Sequence, residues 1–224
     1  MSQYPDINPD FEPQIPREHQ KIYDAVRKGE LTPKQLSRLL DRDDLMPKTF
    51  LRKGGFKDRL KEYLKQGATG TLLTVDLDDF KRFNDKQGHP AGDELIILAG
   101  SILYEHTRTR PPSPEMAEKR ENRREEFDLL GRGGDEFYAF LVGAQQSTAL
   151  GAAIRIRRLI VSAVKEVFPE YGSEQTMSLG LVYAPEGADA YTLLQVGDRA
   201  LYVAKQGKST GLVKDSINIE RYPD

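Results

Sequence analysis

The chain has 224 residues, with 33 basic and 35 acidic side chains and a formal net charge of −2, a balance that argues against a protein coating nucleic acid. It has no cysteine, which excludes a disulfide framework, a thiolate metal site and a thiol nucleophile. No apolar run approaches the ~20 residues of a membrane span and the opening Met1-Ser-Gln-Tyr-Pro5 lacks the regions of a signal peptide, so a cytoplasmic protein without a membrane partner is expected.

Residues 1–16 carry Pro5, Pro9, Pro13 and Pro16 among polar residues, the composition of an extended arm. A short helix is expected over Arg17–Lys28, with Ile22 and Val26 on one face and Gly29 ending it. Thr32-Pro-Lys-Gln35 reads as a second helix start, with Thr at the N-cap, Pro at the first position and Gln at the third, ahead of the stripe Leu36, Leu39 and Leu40. Residues 17–47 are thus a small N-terminal helical extension. It is either a dimerisation or regulatory element or a pair packed against the main domain, since two short helices bury little by themselves.

Residues 48–224 are read as the main domain. Phe56, Leu60 and Leu64 recur at helical spacing within Lys48–Gln66, and Gly67 ends that helix. A strand over Thr71–Leu77 runs into Asp76, Asp78 and Asp79, then a short helix over Phe80–Asp85 is closed by Gly88. Leu95, Leu98, Ala99, Ile102 and Leu103 predict a buried helix over Ala91–Glu105. Residues 107–126, dense in Arg, Glu and Pro, read as an inserted polar loop whose charges are a solvated surface. Apolar runs on either side of Gly133-Gly134-Asp135-Glu136 predict a β-hairpin, with positive φ at both glycines and both carboxylates at its tip. Ile156, Leu159, Ile160, Ala163, Val164 and Val167 predict a helix from about Ser147, and Thr176–Tyr183 a strand. Leu193, Val196, Ala200, Leu201 and Ala204 predict a last helix, and Leu212–Ile217 an edge strand. The fold class is α/β (α+β), a central sheet covered by helices.

An apolar strand ending in carboxylates offers hard anionic oxygens to a cation such as Mg²⁺ beside a phosphate. Asp76 is the candidate ligand, and two acidic points, one at a strand end and one on a hairpin, suit a two-metal nucleotidyl-transfer site. The plain alternative for the hairpin alone is a solvated turn. Strand and turn geometry points neighbouring residues in different directions, so Asp76, Asp78 and Asp79 cannot all ligate one ion, and Asp78 and Asp79 read as structural. His89 is expected to hydrogen-bond its loop, and Phe80, Phe83, Phe137 and Phe140 to lie in the core.

Four stretches in order resemble the GGDEF family of diguanylate cyclases over about residues 50–215: Val75-Asp-Leu-Asp-Asp-Phe-Lys-Arg-Phe-Asn-Asp-Lys-Gln-Gly-His-Pro-Ala-Gly-Asp93, Arg132-Gly-Gly-Asp-Glu-Phe137, Ser178-Leu-Gly180 and Ala200-Leu-Tyr-Val-Ala-Lys205. The resemblance implies a palm-like βααββαβ order. It implies condensation of two GTP into cyclic di-GMP with release of two pyrophosphates at a homodimer of half-sites. By position it implies Asp76, Asp135 and Glu136 as catalytic residues, joined by the Leu77 carbonyl in holding Mg²⁺ or Mn²⁺, two per active site. Glu136 is left between binding metal and assisting proton removal. The resemblance further places Lys81, beside the backbone of Asp79 and Phe80, at the triphosphate, Asn84 and Asp93 at the guanine edge, and Lys205 and Lys208 at phosphates. The chemistry agrees at Asp93: an acceptor-only carboxylate takes the guanine N1–H and N2–H₂ donors, which adenine lacks. An Asp at a helix start is otherwise an N-cap.

The chain departs from the family pattern in three places. Lys48-Thr-Phe-Leu-Arg-Lys53 replaces the entry signature Asp-x-Leu-Thr-x-Leu-x-Asn-Arg. Arg132 abuts Gly133 where the family has one residue between, a deletion expected to alter the hairpin's register or entry. Glu125 stands where the product-inhibition motif Arg-x-x-Asp has its Arg, with Asp128 at the acidic position. The first two departures motivate a non-catalytic GTP-binding regulatory module as the alternative to an active cyclase. A third reading, a cyclase making another cyclic dinucleotide, has Asp93 against it. A regulatory partner, where there is one, is expected at the N-terminal helices or the inserted loop.

Overall fold

The structure, a computed structural model, describes residues 50–108, 127–170, 176–206 and 217–223. The arm, the N-terminal helical extension, residues 109–126 of the polar loop and Lys208 lie outside the described residues.

Strand β2 (Gly70–Leu77) is buried at all eight positions. It lies at the centre of the sheet, antiparallel to both β4 (Glu136–Val142) and β5 (Met177–Ala184). Beyond β4 comes β3 (Leu129–Gly133), antiparallel to it, and then β1 (Phe50–Arg52), parallel to β3. Beyond β5 comes β6 (Ile217–Glu220), parallel to β5, so the six strands run β1-β3-β4-β2-β5-β6. Helix α1 (Lys53–Lys65) follows β1, and α2 (Phe80–Gln87) and α3 (His89–Glu105) follow β2. Helix α4 (Gln146–Val167) joins β4 to β5, and α5 (Ala190–Gln206) precedes β6. From β2 to β5 the order is the expected βααββαβ.

Alternation along the strands sends successive side chains to opposite faces and divides the core in two. Leu73, Val75, Phe137, Ala139 and Leu181 pack with Phe83 of α2, Leu95 and Ala99 of α3, and Ile156 and Val164 of α4. Leu72, Tyr138, Phe140 and Val182 pack with Phe56 and Leu60 of α1 and Leu193 and Ala200 of α5. Each large side chain so buried stabilises the fold by about 1.5–3 kcal/mol. Among the described residues no helix is long and apolar enough to cross a membrane.

Several elements differ from the sequence expectations. Phe50–Arg52 is a strand, not the first turn of a helix, because Phe50 is fully buried edge-on to Phe137 and the segment pairs with β3. Ile217–Glu220 forms an edge strand through pairing of Ile217 with Leu179; residues 212–216 of the strand expected over Leu212–Ile217 lie outside the described residues. His89 is the exposed first residue of α3 and bonds no loop group among the described residues.

The hairpin also needs correction. Positive φ falls on Gly134 alone (70°), the pattern of a type II′ turn, while Gly133 is an extended strand residue. Asp135 lies in the turn, but Glu136 is the first residue of β4. The missing residue leaves no slip: Gly133 pairs with Glu136 and Arg132 with Phe137 in an unbroken ladder. Arg132 braces the turn, its Nη1 donating to the Gly134 carbonyl at 2.5 Å.

Asp128, matched by resemblance to the acidic position of the product-inhibition motif, is a structural clasp here. It is buried and accepts from the Arg108 backbone N–H (2.8 Å), the Arg108 guanidinium (2.9 Å) and the Val142 N–H (3.0 Å), while its own N–H donates to the Arg108 carbonyl (3.1 Å). Both carboxylate oxygens are therefore committed within the chain.

Helix α5 lies unusually close to β2 and β5. A Cβ on Gly180 would stand 2.5 Å from the Leu201 backbone nitrogen and 2.8 Å from the Gly197 carbonyl. The Thr74 hydroxyl bridges the same gap, donating to that Gly197 carbonyl at 3.0 Å. Substituting Gly180→Ala must push α5 off the sheet. Urea denaturation is expected to show a loss of about 1–3 kcal/mol, as for other overpacked sites; a loss of a few tenths would show that the helix adjusts freely.

Candidate active site

Asp76 sits near the end of β2, opposite Glu136 on β4 and Ser178 on β5. These positions share the α1/α5 face of the sheet, because they stand two or four residues along their strands from Leu72, Tyr138 and Val182. Asp76 is only 5% exposed, and its Oδ2 lies 2.7 Å from the Lys205 ammonium on the last turn of α5. Asp135 is in the adjoining turn, where its backbone carbonyl accepts the Leu77 N–H at 3.4 Å.

The charges are strongly interdependent. Burial pushes the Asp76 carboxyl above its usual range; Lys205 opposes this, and the negative charges of Asp135 and Glu136 add to it. For Glu136, burial works upward too, but the Tyr138 hydroxyl and Lys53 outweigh it and hold the carboxyl below its usual range. Tyr138 donates to Glu136 Oε2 at 2.6 Å, and Lys53 donates to the same oxygen at 3.2 Å. Burial and the bond to Glu136 keep the Tyr138 phenol protonated. Asp198 on α5, two turns before Lys205, feels both Lys53 and Glu136; burial raises its carboxyl, Lys53 opposes and Glu136 adds.

This donor set suits a hard divalent cation. The carboxylates are hard oxygen ligands whose mutual repulsion already draws in the Lys205 charge, and the buried Ser178 hydroxyl facing Asp76 makes no hydrogen bond to the described residues. Among the described residues no three His, Cys, Asp or Glu side chains converge into a ready-made cage. A cation here would draw on one or two carboxylates and on phosphate oxygens of a bound nucleotide, the usual mode for Mg²⁺.

The other expected positions line the start of α2 and α3. Phe80 is the half-buried first residue of α2, stacked on Phe83, and Lys81 follows it, exposed. The N-cap Asp79, at φ 54°, makes no side-chain capping bond. Asn84 Oδ1 is buried without a hydrogen bond to the described residues and lies against Gly92, where a Cβ would come within 1.8 Å of it. The glycine is what leaves room for the carboxamide. Asp93, next along α3, is exposed and is no N-cap, because the helix begins at His89. Asp78 is buried and accepts from the Thr176 hydroxyl at 2.7 Å, as a structural residue should. Arg199 pairs with Glu220 at 3.0 Å on the surface.

Sequence reasoning missed Lys53, Tyr138 and Asp198. Tyr138 was detectable, since two residues beyond Glu136 a strand returns to the same face. Asp198 was detectable too, at i−7 from Lys205 on one helix face. Lys53 gave no such signal, because it reaches the site only through the pairing of β1 with β3.

The site thus sets an acidic strand end and hairpin beside a lysine on the last turn of α5. The model of the family described as "Diguanylate cyclase, GGDEF domain" matches residues 49–112 and 115–210. The chain belongs to that GGDEF family. It is similar to diguanylate cyclase DosC of Escherichia coli (strain K12), 27% identical over 187 residues, covering 83% of this chain and 35% of the relative. It is 32% identical over 157 residues to the probable diguanylate cyclase DgcT of the same strain, covering 68% of this chain and 31% of the relative. The chain thus spans about a third of the length of these relatives. The fold matches the GGDEF domain of DgcB from Caulobacter crescentus, solved in complex with c-di-GMP, at a TM-score of 0.60 and 24% identity over 81% of this chain and 95% of that one. It also matches diguanylate cyclase SiaD of Pseudomonas aeruginosa, solved with its activator SiaC, at a TM-score of 0.55 and 22% identity over 85% and 69% of the two chains.

The buried charge of Asp76 yields a test by pH. In Lys205→Met the Asp76 carboxylate loses its compensating charge, and its folded-state pKa rises further above the unfolded value. A raised carboxyl favours the fold when protonated and opposes it as pH climbs through the folded value. The variant is expected to lose about 1–2 kcal/mol at pH 7, less than for a wholly buried pair because Lys205 reaches solvent. The deficit against the wild type should shrink on acidification toward pH 4 in denaturant titrations. A deficit independent of pH would detach Lys205 from Asp76.

Proposed function

We propose that this domain is a diguanylate cyclase that condenses two GTP molecules into cyclic di-GMP and releases two pyrophosphates, acting as a homodimer in which each copy presents one GTP. The observation that carries this reading is the pairing of Asp76 with Glu136 across adjacent strands, with Lys205 at 2.7 Å from Asp76 and Asp135 in the turn beside them. The names of the two E. coli relatives and the c-di-GMP bound to the C. crescentus domain support it.

Asp76, Asp135 and Glu136, with the Leu77 carbonyl, are the oxygen donors that would hold Mg²⁺ or Mn²⁺, two per active site. Bound cations supply positive charge to the triphosphate and acidify the attacking 3′-hydroxyl. The chain's own groups do the positioning. Lys205, and Lys208 from beyond the described residues, carry positive charge to the phosphates. Lys81 and the N–H groups at the start of α2 meet triphosphate oxygens at a helix N-terminus. Asn84 and Asp93 orient the base: Asp93 accepts N1–H and N2–H₂ of guanine, and the unbonded Asn84 Oδ1 beside Gly92 accepts a further donor. Glu136, already accepting two donors and held below its usual range, is a poor proton acceptor, which favours its role as a ligand. Each 3′-hydroxyl must reach the α-phosphate of the other nucleotide, so two copies face one another about a two-fold axis.

Purified protein incubated with GTP or ATP plus Mg²⁺ is expected to yield cyclic di-GMP and pyrophosphate from GTP alone, as resolved by chromatography. GTP bound but unconsumed would select the regulatory module, and an adenine-containing product the third reading. Asp135→Ala should lower turnover by more than the roughly 10–100-fold typical of outer-shell changes, with unchanged circular dichroism; retained turnover would remove Asp135 from the metal site. Gly92→Ala, which drives a Cβ into Asn84, should weaken GTP binding roughly tenfold by calorimetry, the equivalent of one hydrogen bond. Equal affinity would move base reading away from Asn84.

A further inference from the structure

Glu136 is fixed by two donors that act on one and the same oxygen. Tyr138 donates its hydroxyl to Oε2 at 2.6 Å and Lys53 donates Nζ to Oε2 at 3.2 Å. Among the described residues Oε1 accepts no hydrogen bond. The two donors are not equal. The Lys53 pair is largely solvent-exposed, and such pairs hold a side chain weakly. Tyr138 is 2% exposed and its ring lies 5.5 Å from that of Phe56, so the phenol cannot swing away. Lys53 also stands over the Tyr138 ring at 5.2 Å, which ties the two donors to each other.

A carboxylate with one oxygen so committed has the other left to offer a cation. The consequence differs between ions. Ca²⁺ takes six to eight oxygens and often grips a carboxylate by both, whereas Mg²⁺ requires near-octahedral geometry built from single oxygens of one or two carboxylates and of phosphates. We propose that Tyr138, assisted by Lys53, restricts Glu136 to one-oxygen coordination and thereby makes this site select Mg²⁺ over Ca²⁺. Tyr138 acts here as a positioning residue, and the proposal rests on the reading of Glu136 as a cation ligand.

The test uses the whole chain with the non-reacting analogue guanosine 5′-(α,β-methylene)triphosphate, titrated with Mg²⁺ and with Ca²⁺ in a calorimeter. Tyr138→Phe keeps the ring on Phe56 and deletes only the hydroxyl, and its melting temperature checks the fold. The Mg²⁺-to-Ca²⁺ affinity ratio is expected to shift toward Ca²⁺ by about tenfold, the scale on which outer partners of metal ligands act. Lys53→Met should shift it in the same direction by less, and the double variant by the most. An unchanged ratio in Tyr138→Phe, together with loss of cation binding in Glu136→Gln, would overturn the selectivity role while leaving Glu136 a ligand. Cation binding undiminished in Glu136→Gln would overturn both this proposal and the ligand assignment beneath it.

Discussion

A negative charge buried near the end of the central strand is the constraint to which the other parts of this domain answer. Removing a carboxylate from water is costly unless positive charge or hydrogen bonds replace the solvent. Lys205 offsets part of that cost for Asp76, and it is within reach because α5 rests directly on β2 and β5 across Gly180 and Gly197. Glu136, one strand over, meets its own cost with Tyr138 and Lys53. The site is thus a set of carboxylates each matched to a different donor from a different element, α5 for one and β4 with α1 for the other. That division leaves the acidic edge intact and oriented, with hard carboxylate oxygens of the kind a divalent cation takes.

Much of this was legible in the sequence, and the limits have physical causes. The long helices announced themselves through apolar spacing, as Leu95 to Leu103 and Ile156 to Val167 illustrate, because a helix packed on one face repeats at 3.6 residues wherever it occurs. β2 could be read as a strand since its apolar run is short and bounded by acid residues. β1 could not, because three residues carry no period, and Phe50 is placed by pairing with Leu130, eighty positions away. The same blindness hid Lys53. The acidic points themselves stood out as motifs, and the structure brings Asp76 and Glu136 into one cross-strand pair; what the motif did not convey was the matching of charge to donor, which depends on which faces meet.

The hairpin shows how a local expectation yields to the ladder. A missing residue before paired glycines suggests a slipped register, yet a strand flanked by β2 on one side and β3 on the other has its side chains assigned to faces by two neighbours at once. Shifting it by one would turn Glu136 toward the face of Val75 and Leu179, and Phe137 toward the face of Leu72 and Val182. The change is absorbed instead at the turn, where Gly134 alone adopts positive φ and Arg132 reaches across to hold it.

The clasp between Arg108 and Asp128 has an architectural consequence. Chain leaving α3 and chain entering β3 are hydrogen-bonded to each other at a single point, so the segment between them begins and ends at one gate. Closing a longer loop through a gate of that kind costs little, since the entropy grows only with the logarithm of its length. Evolution or a protein engineer is therefore free to lengthen, shorten or replace the sequence between Arg108 and Asp128, even with a foreign module, while the sheet keeps its alignment.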